Sequence, residues 1–256
     1  GGRKKGGKNL YCKFMLFAID VCNEQGYILY IVPTGILKTT IYDKKTKVFE
    51  KITQHTIKSI NINDCSKHFK VASTFTYMLI IKNNVKNKIF DIVSVVKNKK
   101  YVIQELDNFN LNFLPVVPNN HSINILNKLK KENFKLKRVD VTEKINDIEY
   151  DKFLFLKRLD HINYKKPYFK SFIGDKKLEI KGPILCTKYS KNKQILLNSD
   201  LMAFVNIVSR FDGVIYHNFM NMFGIDDDIV VDNENDLYEY FNITSEEKYF
   251  IQDIIG

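Results

Sequence analysis

Apolar positions in residues 9–23 (NLYCKFMLFAIDVCN) recur at helical spacing: Leu10, Phe14, Phe17, Ala18 and Val21. The spacing predicts a helix with Asn9 as its cap. Glu24-Gln25-Gly26 stops it, with Gly26 suited to the left-handed position after its end. Residues 27–32 (YILYIV) are nearly all apolar and rich in β-formers. That run predicts a strand buried on both faces, as in a parallel sheet covered by helices. Pro33 ends it, since proline cannot donate to a ladder. A polar, weakly periodic helix is expected over 44–56. Residues 57–63 alternate with period two, and 71–82 form a long β-type run. Asn83-Asn84 opens a turn, and 88–96 with 100–105 read as a further strand pair.

The pattern changes at 107–120, which holds Pro115, Pro118 and Asn119-Asn120 and reads as a loop. We therefore expect two domains, 1–106 and 107–256. Beyond the loop, 121–132 reads as a helix capped by Ser122. Short strands are expected at 151–157, 168–173, 177–181, 183–189 and 194–197. Ser199 caps a helix over 199–209 with Asp200 in its first turn, and Thr244-Ser245-Glu246-Glu247 opens a last helix to Ile255. No internal repeat is present.

Charge changes the picture more than composition does. Residues 1–191 carry 37 Lys/Arg against 17 Asp/Glu, while 192–256 carry 3 against 12. Such asymmetry points to a polyanionic partner for the basic part, although a sequence rich in Lys, Asn, Ile, Tyr and Phe also follows from an AT-rich gene. At 45% hydrophobic and 27% charged the chain reads as globular. No run of 18 apolar residues predicts a membrane span, and no secretory signal is apparent. The four cysteines are scattered, so a disulfide framework or structural zinc is not expected. A reducing compartment, the cytoplasm or its equivalent, is the default.

The ordered series Asn9, Leu10, Tyr11, Phe14, Gly26, Val32 and Pro33 resembles a stretch of N6-adenine DNA methyltransferases of restriction–modification type. The stretch is the one that follows their catalytic motif. The likeness continues through a polar helix, a strand, Phe69 and Ser73-Thr74-Phe75. It covers roughly residues 1–82, and the remainder resembles the variable target-recognition region only in size, charge and position. The resemblance implies an α/β fold: the C-terminal half of a doubly wound, Rossmann-like methyltransferase sheet, then an α+β DNA-recognition domain. It implies S-adenosylmethionine as cofactor and double-stranded DNA as partner. The family's Gly-containing cofactor loop and its (Asn/Asp)-Pro-Pro-(Tyr/Phe) catalytic loop are both missing, since no two of the five prolines are adjacent. The expectation is therefore an enzyme part that is inactive alone, truncated or paired with a separate catalytic chain.

By that resemblance, Phe14 packs against the cofactor's adenine, with a core position on an amphipathic helix as the plain alternative. Phe69 stacks on the flipped target adenine. Thr74 and Phe75 are candidates for the pocket wall, though a Phe within a β-run is more often core. Arg3, Lys4, Lys5 and Lys8 form a Gly/Lys loop expected to face DNA. The stretches 128–138 and 165–193 interleave cations with Tyr164 (just before the second), Tyr168, Phe169, Phe172 and Tyr189, a composition suited to phosphate contacts and base stacking. Base readers among Arg138, Arg158 and Arg210 cannot be ranked. Asp226-Asp227-Asp228 with Asp232, Glu234 and Asp236 lacks the calcium-loop pattern and reads as a solvated loop, and no metal site is expected. Two other functions stay open: a non-catalytic DNA-binding or specificity subunit, and an RNA methyltransferase or RNA-binding protein.

Overall fold

A computed structural model describes residues 10–37, 48–69, 74–107, 113–141, 151–157, 167–179, 181–209 and 220–256. The chain divides into two compact units, residues 1–123 and 124–256. The first is built on a mixed sheet of five strands: β1 (Tyr27–Pro33), β2 (Thr56–Ile62), β3 (Phe75–Ile81), β4 (Lys88–Val96) and β5 (Lys99–Asp107). Their order is β1-β3-β2-β4-β5. β3 runs against both β1 and β2, β4 is parallel to β2, and β5 is antiparallel to β4. Thus β1, β2 and β4 all point the same way. Helix α1 (Leu10–Val21) precedes β1, and the short α2 (Val48–Ile52) lies between β1 and β2 in sequence.

One face of this sheet holds the core. Ile28, Val32, Thr76, Met78, Ile80, Ile60, Ile62, Ile92 and Val96 are buried there. α1 packs on that face through Cys12, Met15 and Ile19, and the Tyr30 hydroxyl donates to the carbonyls of Phe14 (3.0 Å) and Met15 (3.2 Å). Phe113, Leu114, Val116 and Val117 are also buried, tied in by Leu114 N–H to Leu37 O and by the Ser94 hydroxyl to Val116 O. The proline-containing segment thus belongs to the first unit.

The strand expectation for 27–32 is right in position and wrong in environment. β1 is an edge strand, hydrogen-bonded among the described residues only to β3, and antiparallel to it. Tyr27, Leu29 and Ile31 alternate onto the opposite face and are more than half exposed. The left-handed residue after α1 is Gln25 (φ 63°), not Gly26. Gly26 is needed for space, because a Cβ there would stand 2.5 Å from Cys22 Sγ and 2.8 Å from Asn23 O.

The second unit holds an antiparallel sheet in the order β6-β9-β7-β8, from β6 (Lys137–Val141), β7 (Lys152–Lys157), β8 (Ser171–Asp175) and β9 (Lys181–Lys188). Phe153, Phe155, Val139 and Cys186 form a buried cluster on one face, with Phe172, Leu178 and Ile184 against it. Leu154 and Leu156 are buried on the other. Helices α3 (Asn120–Leu129), α4 (Lys191–Leu197), α5 (Asp200–Val208), α6 (Glu234–Tyr240) and α7 (Ser245–Ile255) complete the described helical elements. Ser199 caps α5 and Thr244 with Glu247 forms a capping box on α7, both as the sequence predicts. Several local expectations fail. Of the helix expected over 44–56, the described residues are helical only over Val48–Ile52, and Thr56 already opens β2. Of the strand expected over 177–181, residues 177–179 are turn and coil, and β9 begins at Lys181. Ser122 is not the cap of α3; Asn119 accepts the Ser122 N–H at 2.8 Å in that role. Residues 194–197 are helix rather than strand, because a short apolar run fits either period.

The acidic segment is used structurally. Asp226 meets the Tyr240 hydroxyl and Lys131, Asp227 pairs with Lys193 at 3.2 Å, and Asp236 closes a capping box with Asn233. Glu234 accepts the Asp200 N–H at 2.6 Å, while Tyr168 donates to Asp200 at 2.8 Å. Burial raises the Glu234 carboxyl above its usual 4.5, with the Asp200 charge adding to it, and burial pushes Tyr168 up to about 12. A raised carboxylate favours the folded state below 4.5, and that contribution is lost as pH rises through the raised value. Glu234→Gln keeps the acceptor and removes the charge. It is expected to raise the melting temperature at pH 7 and to leave it unchanged below pH 4.5; equal effects at both pH values would contradict this account.

Candidate functional site

In open α/β sheets, ligands sit outside the carboxyl ends of the strands. In the first unit those ends are Pro33-Thr34, Ile62-Asn63 and Val96-Lys97, and β3 begins at the same edge with Phe75. A 3₁₀ turn, Asp64–His68, follows β2 and delivers Phe69 to that edge. The rings of Phe69 and Phe75 stack at 4.5 Å with an interplanar angle of 29°. Both residues are half-buried. Phe75 therefore opens its strand and carries Phe69, rather than filling a core.

A polar net fixes this edge. The Thr34 hydroxyl donates to Asn63 Oδ1 (3.0 Å), and the Thr76 hydroxyl donates to Thr34 Oγ1 (3.2 Å). The Phe75 carbonyl accepts from the Asn63 N–H (3.1 Å) and from the Cys65 thiol (3.2 Å). Asn61 Oδ1 accepts the Cys65 N–H (3.0 Å), and its Nδ2 reaches Asp64 Oδ2 (3.4 Å). Asn63 itself is left-handed (φ 68°), which turns the chain sharply into the 3₁₀ segment. Hydrogen bonds from Lys67 and Asn61 hold the Asp64 carboxyl below its usual range. Burial raises the Cys65 thiol, so it is no thiolate nucleophile at neutral pH.

Phe14 lies mid-helix on α1 with its side chain exposed, which removes the core alternative for it. It stands against mid-strand Tyr30, whereas Phe69 stands at the sheet's carboxyl edge. Arg3, Lys4, Lys5 and Lys8 fall outside the described residues, as do Asn9, Ser73, Arg158, Tyr164 and Arg210. Thr74 is exposed at the site edge, and its carbonyl accepts the Thr34 N–H at 3.0 Å. Sequence reasoning missed Thr34, Asn61, Asn63 and Thr76. The one available signal was the run Asn61-Ile62-Asn63-Asp64 at the end of an alternating strand.

In the second unit, Lys152 lies 4.4 Å from the Tyr189 ring centroid, and Lys137, Arg138, Lys152 and Lys188 are exposed on strands of one sheet. None of the four cysteines is in a disulfide. Among the described residues, no group of His, Cys, Asp or Glu side chains is placed to hold a metal ion. No described helix is long and apolar enough to cross a membrane. Neither a protein-family model nor a curated protein matches the chain.

Proposed function

We propose that this chain is part of a methyltransferase that modifies N6 of adenine in double-stranded DNA. It contributes the stacking face for the extruded base and the DNA-binding surface. The observation that carries the reading is the Phe69–Phe75 stack at the edge where β1, β2 and β4 end. An adenine taken out of a duplex loses its stacking, and an aromatic face at the ligand edge of an α/β sheet replaces it. Two further features support it. A helix, a strand, a helix and a second strand of the same direction follow one another, as in half of a doubly wound sheet. The outer edge of β1, unpaired among the described residues and with apolar side chains on both faces, is what the interior strand of a larger sheet would present.

The described residues do not form a cofactor site of their own. Phe14 offers a single exposed ring, and the glycine loop and Pro-Pro loop expected from the resemblance are not in the sequence. S-adenosylmethionine would have to be held by polypeptide carrying those loops. Methyl transfer by this chain alone would overturn that division of labour.

The test is a comparison of duplexes. Extrusion costs least for a mispaired base. The chain should therefore bind a duplex with one mispaired adenine more tightly than its matched counterpart. Phe69→Ala should erase that preference by roughly 10–100-fold, from the ~1–3 kcal/mol of one base–aromatic stack, and Phe69→Tyr should keep it. Equal affinity of the unaltered chain for both duplexes would sink the reading.

A further inference from the structure

The turn joining β4 to β5 is Lys97-Asn98, and both residues are left-handed (φ 51° and 65°). That is the two-residue turn of a tight hairpin, a place where Asn-Gly is the relaxed choice. A lysine at its first position is strained, and strained residues concentrate at functional sites. Lys99 and Lys100 follow directly, both exposed. Burial lowers the Lys97 ammonium from its usual value, so this cation is partly stripped of water.

Register places this tip relative to the aromatic stack. Pro33 faces Phe75, Asn63 N–H donates to Phe75 O, Asn63 Nδ2 reaches Val95 O at 3.5 Å, and Val95 faces Lys100. Phe75 and Lys100 thus lie in one row across the sheet, three strand spacings apart, roughly 14 Å. The charge of Lys100 is felt by Asp64, which starts the turn that ends at Phe69. Aromatic face and cationic tip occupy the same edge.

We propose that Lys97, Lys99 and Lys100 form a phosphate-binding tip that grips the backbone of the nucleic-acid strand whose base rests on Phe69; this rests on the nucleic-acid reading above. A ring holds the base and carries no charge, while cations one short span away neutralise phosphates and fix the strand's register.

The experiment measures affinity of the full 256-residue chain for a labelled duplex oligonucleotide, and for its single strand, across a salt series. K97Q/K99Q/K100Q should flatten the plot of log affinity against log salt by roughly 2–3 units, at ~0.9 per phosphate contact. K58Q/K86Q, exposed and away from this edge, should leave the slope unchanged. K97G relieves the left-handed strain, so its melting temperature should hold or rise while its affinity falls. That result separates lost binding from lost folding. If the unaltered chain binds and the tip variants match it in slope, or both sets lose equally, the tip has no special role and the nucleic-acid reading survives. If the unaltered chain binds neither oligonucleotide, that reading fails and the tip proposal with it.

Discussion

Charged substitutions at Phe17 and Ile31 are expected to turn the isolated chain from a concentration-dependent oligomer into a monomer. The reason lies in what α1 and β1 leave uncovered. Leu10, Phe14, Phe17 and Val21 are exposed and follow the 4-3-4 spacing of one helix stripe, away from the buried Cys12, Met15 and Ile19. Tyr27, Leu29 and Ile31 are exposed on the sheet face opposite the helix. Between the two apolar surfaces runs the β1 edge, unpaired among the described residues and with no lysine or bulge to blunt it. An open apolar edge is a template for another strand, a second copy of β1 included. Seven large side chains, each 53–66% exposed, crowd into 22 residues; monomer surfaces seldom carry apolar patches beyond a few hundred Å². Phe17→Asp with Ile31→Lys places charge on both faces of that edge. Sedimentation equilibrium over a range of concentrations should show association for the unaltered chain and a single monomer mass for the variant. Because both positions are exposed, the melting temperature should change little. A monomeric unaltered chain with a sharp, concentration-independent melt would refute the expectation.

The same residues show what a sequence can and cannot say. The run Tyr-Ile-Leu-Tyr-Ile-Val identified β1 because an apolar, β-rich segment bounded by Gly26 and Pro33 has few other solutions. It also suggested burial on two faces, and only one face is buried. Whether a second covering layer exists is a tertiary fact, and no periodicity contains it. The turn at 24–26 was legible, but its left-handed residue is Gln25, and Gly26 is required there for its lack of a side chain. At the candidate site, Phe69 stood out as a loop aromatic among polar neighbours. Its support by Phe75 did not, since stacking depends on where the 3₁₀ turn returns the chain. The lysine tip was hidden for a related reason: Lys-Asn lacks the glycine by which tight hairpins are recognised. In the second unit, strong capping signals at Ser199 and Thr244 outweighed tertiary context. The apolar residues of 194–197 had no such signal, and Ser190 indeed makes no side-chain cap there.

Phe155→Ala is expected to cost the second unit about 3–5 kcal/mol, the range for truncating a fully buried Phe. Phe155 lies on β7, between β8 and β9, and is 0% exposed. Its ring stands 5.4 Å from Phe172 and 5.7 Å from Phe153, and Cys186 faces it across the ladder. The cluster is small, so few side chains can collapse into the void. Gly174 supplies a sharper test of the packing. A Cβ there would approach Phe155 Cε2 to 2.8 Å, so Gly174→Ala alone should destabilise by overpacking, about 1–3 kcal/mol. Phe155→Leu alone leaves a gap on the same side of the strand. Combined, the added methyl enters space that the ring vacated, and the double variant should be more stable than the two single losses predict. Chemical denaturation of the four proteins gives the coupling directly. A favourable coupling of at least about 0.5 kcal/mol is expected for residues in contact. Strict additivity would mean that Gly174 is glycine for a reason other than the ring beside it.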